Sequence, residues 1–449
     1  MTKDLTNGRP FSLILGFSIP VLLGYLFQQF YNVADTIIVG KFLGVTSLAA
    51  VGSTGSVNFL IIGFVSGMCG GFAIPIAQRF GAKDFSRMRV YVSNSIYLCA
   101  IFAVLITTLT VIFCKPLLLT MQTPPDIVDQ ADSYIRIIFL GIPLIYLYNM
   151  SAGIIRSLGD SKTPVYFLVL SAVLNIILDF VFILIFKFGI RGAAAATIIS
   201  QGIAGISCVL YMTKSFPELH CSFQEKKFNS SSWASLCAAG IPMGLQYSIT
   251  AIGSVILQSA VNQLGSSAVA SVTAAGKVSQ FFCAVFDSLG TTMATYGGQN
   301  TGAAKIDRLG RGVRDALILS AVYSLFCFLL FFVAGQYFIL LFVDSSQTEI
   351  VQNAKLYLLE NSSCYMLLAV VNVVRFMIQG MGFSRFSIFS GIFEMIARTI
   401  IGIFVVPRFG FVSAGLASPF AWLLADLFLI PGFIRCIKKL QHDLGKAKC

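Results

Sequence analysis

The chain has 449 residues, of which 57% are hydrophobic and only 11% charged, where a soluble domain carries about a quarter charged residues. That balance excludes a soluble globular protein. The net charge of +12 would suit a nucleic acid, but its placement along the chain argues for a membrane surface instead.

In chain order, long uncharged runs recur at Phe11–Ala34, Phe42–Gln78, Val90–Cys114, Gly192–Thr213, Phe228–Gly276 and Ala316–Val343. Each is at least the roughly 20 residues that cross a bilayer as a helix. Twelve helices are expected, near 11–39, 46–78, 88–114, 128–157, 163–187, 191–214, 233–262, 267–299, 312–340, 350–381, 385–407 and 411–437. Continuous apolar runs, rather than short alternating ones, specify helices and not a barrel. The fold class is therefore an all-α polytopic membrane protein. The first segment is too long for a signal peptide, contains Asp35 and has no small-residue cleavage pattern.

With the N-terminus in the cytoplasm, the inner segments hold 21 Lys and Arg against five in the outer loops, with the other five in or near helices. This is the positive-inside bias, and it removes the case for nucleic acid. Eleven cysteines are scattered with no metal-binding spacing, and His220 and His442 fall in cytoplasmic segments.

The second half repeats the first. Ile19-Pro20 recurs as Ile241-Pro242, and Leu43-Gly44 as Leu264-Gly265. Gln78-Arg79-Phe80-Gly81-Ala82 recurs as Gln299-Asn300-Thr301-Gly302-Ala303, and Phe188-Gly189 as Phe409-Gly410. Ile155–Gly159 faces Ile378–Gly382 at an offset of 223. Residues 1–214 are expected to form one six-helix lobe, 215–232 a cytoplasmic linker, and 233–449 a second lobe with a basic tail. Six helices is an even number, so the pseudo-symmetric bundles insert in parallel, with a substrate path between them and alternating access as the mechanism.

The chemistry lies in one lobe. An ionisable group at membrane depth costs at least a few kcal/mol, yet Asp179 is the only charge between Thr163 and Phe186, and Asp35 ends the first apolar run. Leu257 stands opposite Asp35 in the second half. Gln28, Tyr31, Asn32 and Asp35 share one helical face through spacings of three and four, as do Asn175 and Asp179. Asp179 lies nine residues before Phe188 and Thr197 nine after it. At 1.5 Å per residue both sit about 13 Å from that turn. Two carboxylates, an amide and a hydroxyl can thus converge as hard oxygen donors. They suit Na⁺ or a proton, with Asp35 and Asp179 the direct ligands. Tyr134, Tyr146, Tyr148, Asn149 and Met150 can line a soft pocket beside them or belong to the core. Arg136 has Asp132 four residues away to pair with.

In the second lobe Glu394 and Arg398 are spaced to pair, and Arg375 with Gln379 could face the cavity. Pro20 and Pro242 could permit bending, and Gly63, Gly67, Gly70 and Gly71 read as close helix packing. The Asn229-Ser230-Ser231 sequon lies on the cytoplasmic side.

These residues resemble the MATE (multidrug and toxic compound extrusion) transporters, in the prokaryotic branch with its key acids in the first lobe. The resemblance covers roughly residues 8–440. It rests on Pro20, Gln28, Tyr31-Asn32, Asp35 and Gly40, on Asn175 with Asp179, on Thr197, and on the Gln78/Gln299 helix ends. It implies two six-helix bundles in a V, a cation site at Asp35, Asn175, Asp179 and Thr197, and a cavity lined by Gln28, Tyr31 and Asn32. It further implies export of amphiphilic, often cationic compounds against Na⁺ or H⁺, by a monomer in a bacterial inner membrane with both termini cytoplasmic and no cofactor. Other branches carry an acid on helix 7, where this chain has Leu257 and Gln258. The alternative is a lipid-linked oligosaccharide or peptidoglycan-precursor flippase, which would want a basic cavity. No Ser/His/Asp or His/Glu arrangement lies in the helices to suggest an enzyme.

Overall fold

The computed structural model describes residues 4–121 and 123–448, and among these residues there is no β-strand. The first six spans are α1 Pro10–Leu43, α2 in two pieces (Val45–Ser53 and Gly55–Gly81), α3 Phe85–Thr120, α4 in two pieces (Val128–Leu140 and Ile142–Ser157), α5 Thr163–Ile185 and α6 Ile190–Ser215. The second six are α7 Ser230–Asn262, α8 Ser266–Gly302, α9 Ile306–Ile339, α10 in two pieces (Thr348–Ser363 and Tyr365–Gly380), α11 Arg385–Phe409 and α12 Phe411–Lys448. Among the described residues ten helices are long and apolar enough to cross a membrane, and the two bent pairs bring the spans to twelve. Every expected helix is present. The apolar runs leave their faces to lipid, so large hydrophobic side chains such as Val104, Ile112, Val333 and Leu427 are exposed.

The duplication extends to the backbone. Gly44 and Gly265 have φ of 84° and 100°, and Gly189 and Gly410 have φ of 59° and 68°. Each pair terminates matching helices where an L side chain would be strained. Lys83 and Ala304, also matched, adopt φ of 58° and 56° without that freedom. α4 bends by 46° at Gly141 and α10 by 49° at Cys364, which are 223 residues apart. α5 and α11 both pass into a π-helical turn, at Val181–Ile185 and Ile401–Val405. Hydropathy carries no trace of these breaks, because a bend or a π turn keeps the same apolar composition.

The chain divides into two compact units, and neither is a continuous half. One comprises Met1–Asp4 with Ile19–Gly244, and the other Leu5–Ser18 with Leu245–Cys449. The boundaries fall beside Pro20 and Pro242, both inside their helices. In the first unit, Gly71 of α2 meets Gly240 and Ala239 at the start of α7, with no room for a Cβ. The linker also packs on this unit. Glu225 accepts from Arg89 Nη2 at 2.7 Å, Arg89 Nε at 2.8 Å and Ser86 Oγ at 3.0 Å. Asn94 Oδ1 receives Trp233 Nε1 at 2.7 Å, and the sequon residue Asn229 caps α7 by accepting from Ser232 N at 2.8 Å. In the second unit, the N-terminal arm enters between α8 and α9. Leu5 is fully buried, its N–H donates to Gln299 Oε1 at 2.9 Å, and its carbonyl accepts from Asn300 Nδ2 at 3.2 Å.

Candidate functional site

The first unit gathers its polar residues from four helices. On α1, Asp35 is buried while Tyr31 and Gln28, one and two turns earlier, are partly buried. On α5, Asn175 and Asp179 are buried one turn apart just before the π-helical turn, and Asp179 has 0% exposure. α6 contributes Thr197, and the first piece of α4 contributes Tyr134. A π turn widens the helix locally and commonly accompanies a functional site.

The carboxyls of Asp35 and Asp179 are close enough to act directly on one another, and Tyr134 and Tyr31 face both. Asn175 Nδ2 donates to Thr197 Oγ1 at 3.3 Å, and that hydroxyl donates to the Ala193 carbonyl at 3.1 Å. The amide is thereby turned so that Asn175 Oδ1 has no hydrogen-bond donor. Asp35 Oδ1 and both oxygens of Asp179 are likewise buried without one. Four buried oxygens without a protein donor among the described residues form a negative, acceptor-only group. Such a group is costly unless a cation or proton neutralises it. Arg136 donates to Asp132 at 3.0 and 3.1 Å, so its charge is committed elsewhere. Among the described residues no set of three or more His, Cys, Asp and Glu gathers as a metal cluster.

A cavity of about 60 Å³ lies beside this group, lined in part by Gln28, Tyr31, Tyr148, Asn149, Ser171 and Gln201. Tyr31 belongs to both: it lines the cavity, meets Gln201 and faces Asp35. Ser171 and Gln201 are absent from the sequence reading, yet each stands one helical turn from a chosen residue, Asn175 and Thr197. Extending the spacing of four by one more step reaches both.

Other expected lining residues go elsewhere. Tyr146 is fully buried in the core of the unit with its hydroxyl toward Met68 Sδ at 3.7 Å. Of the two offered readings, core packing holds there. Asn32 is exposed, and its carbonyl accepts from Thr36. In the second unit Arg375 is buried and donates to Glu394 at 2.8 Å and to Asn372 Oδ1 at 3.0 Å. Gln379 is fully buried and donates to Gln246 at 3.2 Å. The expected Glu394–Arg398 pair is present at 3.5 Å, but Arg375 is the closer partner of Glu394.

Two six-helix repeats with ionisable groups enclosed at membrane depth define a polytopic transport protein. The chain belongs to the MatE family, whose model matches it twice, over residues 20–181 and again over 242–404. The second match begins at Pro242 as the first begins at Pro20, so one family model recognises both halves of the repeat. Among curated relatives, the probable multidrug resistance protein YpnP of Bacillus subtilis is 29% identical over 354 residues, 76% of each chain. The FAD transporter of Shewanella oneidensis is 25% identical over 70% of this chain and 69% of its own. A crystal structure of MATE in complex with MaL6 superposes with a TM-score of 0.91 at 24% identity, covering 98% of this chain and all of that one. This likeness establishes the twelve-helix fold.

Proposed function

We propose that the protein exports small amphiphilic, often cationic compounds across a bacterial inner membrane in exchange for Na⁺ or H⁺. The observation that carries this reading is the acceptor-only group of Asp35, Asp179 and Asn175 at membrane depth. The family match and the relatives named as multidrug resistance proteins support it. A cation entering the group and a cationic compound in the adjoining cavity would each neutralise the same two carboxylates. Binding one therefore weakens binding of the other, which is the thermodynamic requirement for exchange. Tyr31, bordering both, would carry the competition between them.

In the state described, the cavity of about 60 Å³ is far below the roughly 300 Å³ that drug-sized ligands occupy. Loading then requires α1 to shift, and Pro20, which deprives its helix of one backbone hydrogen bond, is placed to allow it. The absence of Lys and Arg from the residues lining the cavity disfavours a pyrophosphate-carrying lipid as substrate. The proposal includes cytoplasmic termini and a monomeric unit of function, as the basic inner segments and complete duplication suggest.

Reconstitution in liposomes tests this. Asp35→Asn and Asp179→Asn should each abolish efflux driven by an imposed Na⁺ or pH gradient while leaving a folded, monodisperse protein. Efflux at the wild-type rate in either variant would exclude the exchange mechanism, and imposing the two gradients separately identifies the ion.

A further inference from the structure

The second unit contains a counterpart of the acidic pocket with its polarity reversed, and the geometry points to a binding site for a small anion there. The correspondence is spatial as well as sequential. Leu257 stands for Asp35, Tyr357 for Tyr134 and Ser418 for Thr197, at offsets of 222, 223 and 221. On α11 the offset of 223 places Arg398 at the position of Asn175 and Gly402 at that of Asp179. The packing agrees, since a Cβ on Gly402 would lie 3.7 Å from Leu257 Cα, as the Asp179 side chain lies against Asp35. Both acids of the first pocket are thus gone. An apolar side chain and a bare backbone replace them, and an amide has become a guanidinium.

These positions surround a cavity of about 170 Å³ lined in part by Ser254, Gln258, Tyr357, Arg398 and Ser418. It has no acidic residue in its lining. The Arg398 side chain is only 9% exposed, and its Nη1 is buried with no hydrogen-bond partner. Its one ion pair among the described residues, Nη2 to Glu394 Oε2 at 3.5 Å, is long, and Glu394 gives its other oxygen to Arg375 at 2.8 Å. One carboxylate therefore serves two guanidiniums. Asp287 and Asp426 act on Arg375, and Glu360 turns its carboxyl against Gly415.

A buried guanidinium with a spare N–H, beside hydroxyls and an amide that can donate, is what a small anion requires. Unrelieved, the same charge would be as costly as an unpaired acid. A chloride-sized anion gives Arg398 a second, closer counter-charge beside its long pair with Glu394, and fits the space. The first unit would thus take a cation and the second an anion, in pockets that descend from one ancestor.

Halide binding to the purified full-length protein at constant Na⁺ tests this without reference to transport. Replacing gluconate by chloride should raise the melting temperature saturably. Bromide-soaked crystals should show an anomalous peak within hydrogen-bonding distance of Arg398. Arg398→Gln should weaken the apparent affinity about 10- to 100-fold, the range expected for loss of a charged hydrogen bond, whereas Asp35→Asn should leave it unchanged. Should Arg398→Gln not fold, the double variant Tyr357→Phe, Ser418→Ala serves, with a smaller loss expected. No halide-specific shift in the wild type, a bromide peak elsewhere only, or a shift unaltered in these variants would overturn the site.

Discussion

Thr197 offers only one hydroxyl to the first pocket, and that hydroxyl is already engaged twice. It receives the Asn175 amide at 3.3 Å and donates to the Ala193 carbonyl at 3.1 Å. It acts on the site by orienting Asn175, whose Oδ1 is buried without a donor. Thr197→Val should therefore free the amide to turn, raising the half-saturating Na⁺ or H⁺ concentration of exchange about 5- to 30-fold. That range corresponds to the roughly 1–2 kcal/mol of a buried hydrogen bond. Thr197→Ser should remain near wild type. Equal losses in both variants, or none in either, would contradict the orienting role. At this scale the sequence exposes whatever breaks the membrane's own rule. A lone Asp in an apolar run is conspicuous, and spacing of three and four then collects its helical neighbours. Residues whose importance comes from a contact across helices leave no such mark. Nothing in the spacing shows that Arg375 reaches Glu394, 19 positions away. Nor does it show that Tyr146 points into the core while Tyr148 and Asn149 reach the cavity.

Among the elements, the linker before α7 is held in part by one ion pair, Arg89 with Glu225. Arg89 and three serine groups, the Ser222 N–H and the Ser86 and Ser222 hydroxyls, hold the Glu225 carboxyl down to about 2 from its ordinary 4.5. A carboxylate held low in the folded state stabilises the clasp at every pH above 4.5. That contribution declines below it and is gone once the pH has fallen through about 2. A ¹³C carboxyl titration should place the Glu225 midpoint near 2, and an ordinary midpoint would show the clasp to be open in solution. Glu225→Gln should release the linker at neutral pH, making Lys226 and Lys227 sensitive to trypsin while transport helices stay intact. Unchanged resistance to cleavage would assign the linker's order to Asn94, Asn229 and Trp233 instead. The sequence reads this stretch as a basic connection and no more, because the residues that fix it lie more than 100 positions away on α3. Helix existence is legible because lipid demands uninterrupted apolar composition. The bends at Gly141 and Cys364 and the π turns of α5 and α11 obey that same demand, and so are invisible to it.

At the scale of the whole molecule, the N-terminal arm has the role of a fastener. Leu5 is fully buried, Lys305 Nζ holds the Thr6 carbonyl at 2.9 Å and the Asn7 side chain at 2.7 Å, and Arg308 reaches Leu5 at 3.4 Å. Leu5→Asp would bury an unpaired charge among these groups. It should lower the melting temperature of the detergent-purified protein by several degrees, the shift that a loss of about 2 kcal/mol or more produces in a chain of this size. An unchanged melting temperature would mean that the arm is not seated. The arm belongs to a larger exchange: Leu5–Ser18 is counted with the second unit, and the start of α7, up to Gly244, with the first. The repeat in the sequence announces two equivalent halves but conceals that each has given the other its opening segment. Such reciprocal loans are how two copies of a protein swap domains. A single repeat on its own would possess an empty berth and a dangling helix, and could satisfy both only by meeting another of its kind. Once duplicated, the two halves were free to diverge, one pocket toward carboxylates and the other toward a guanidinium.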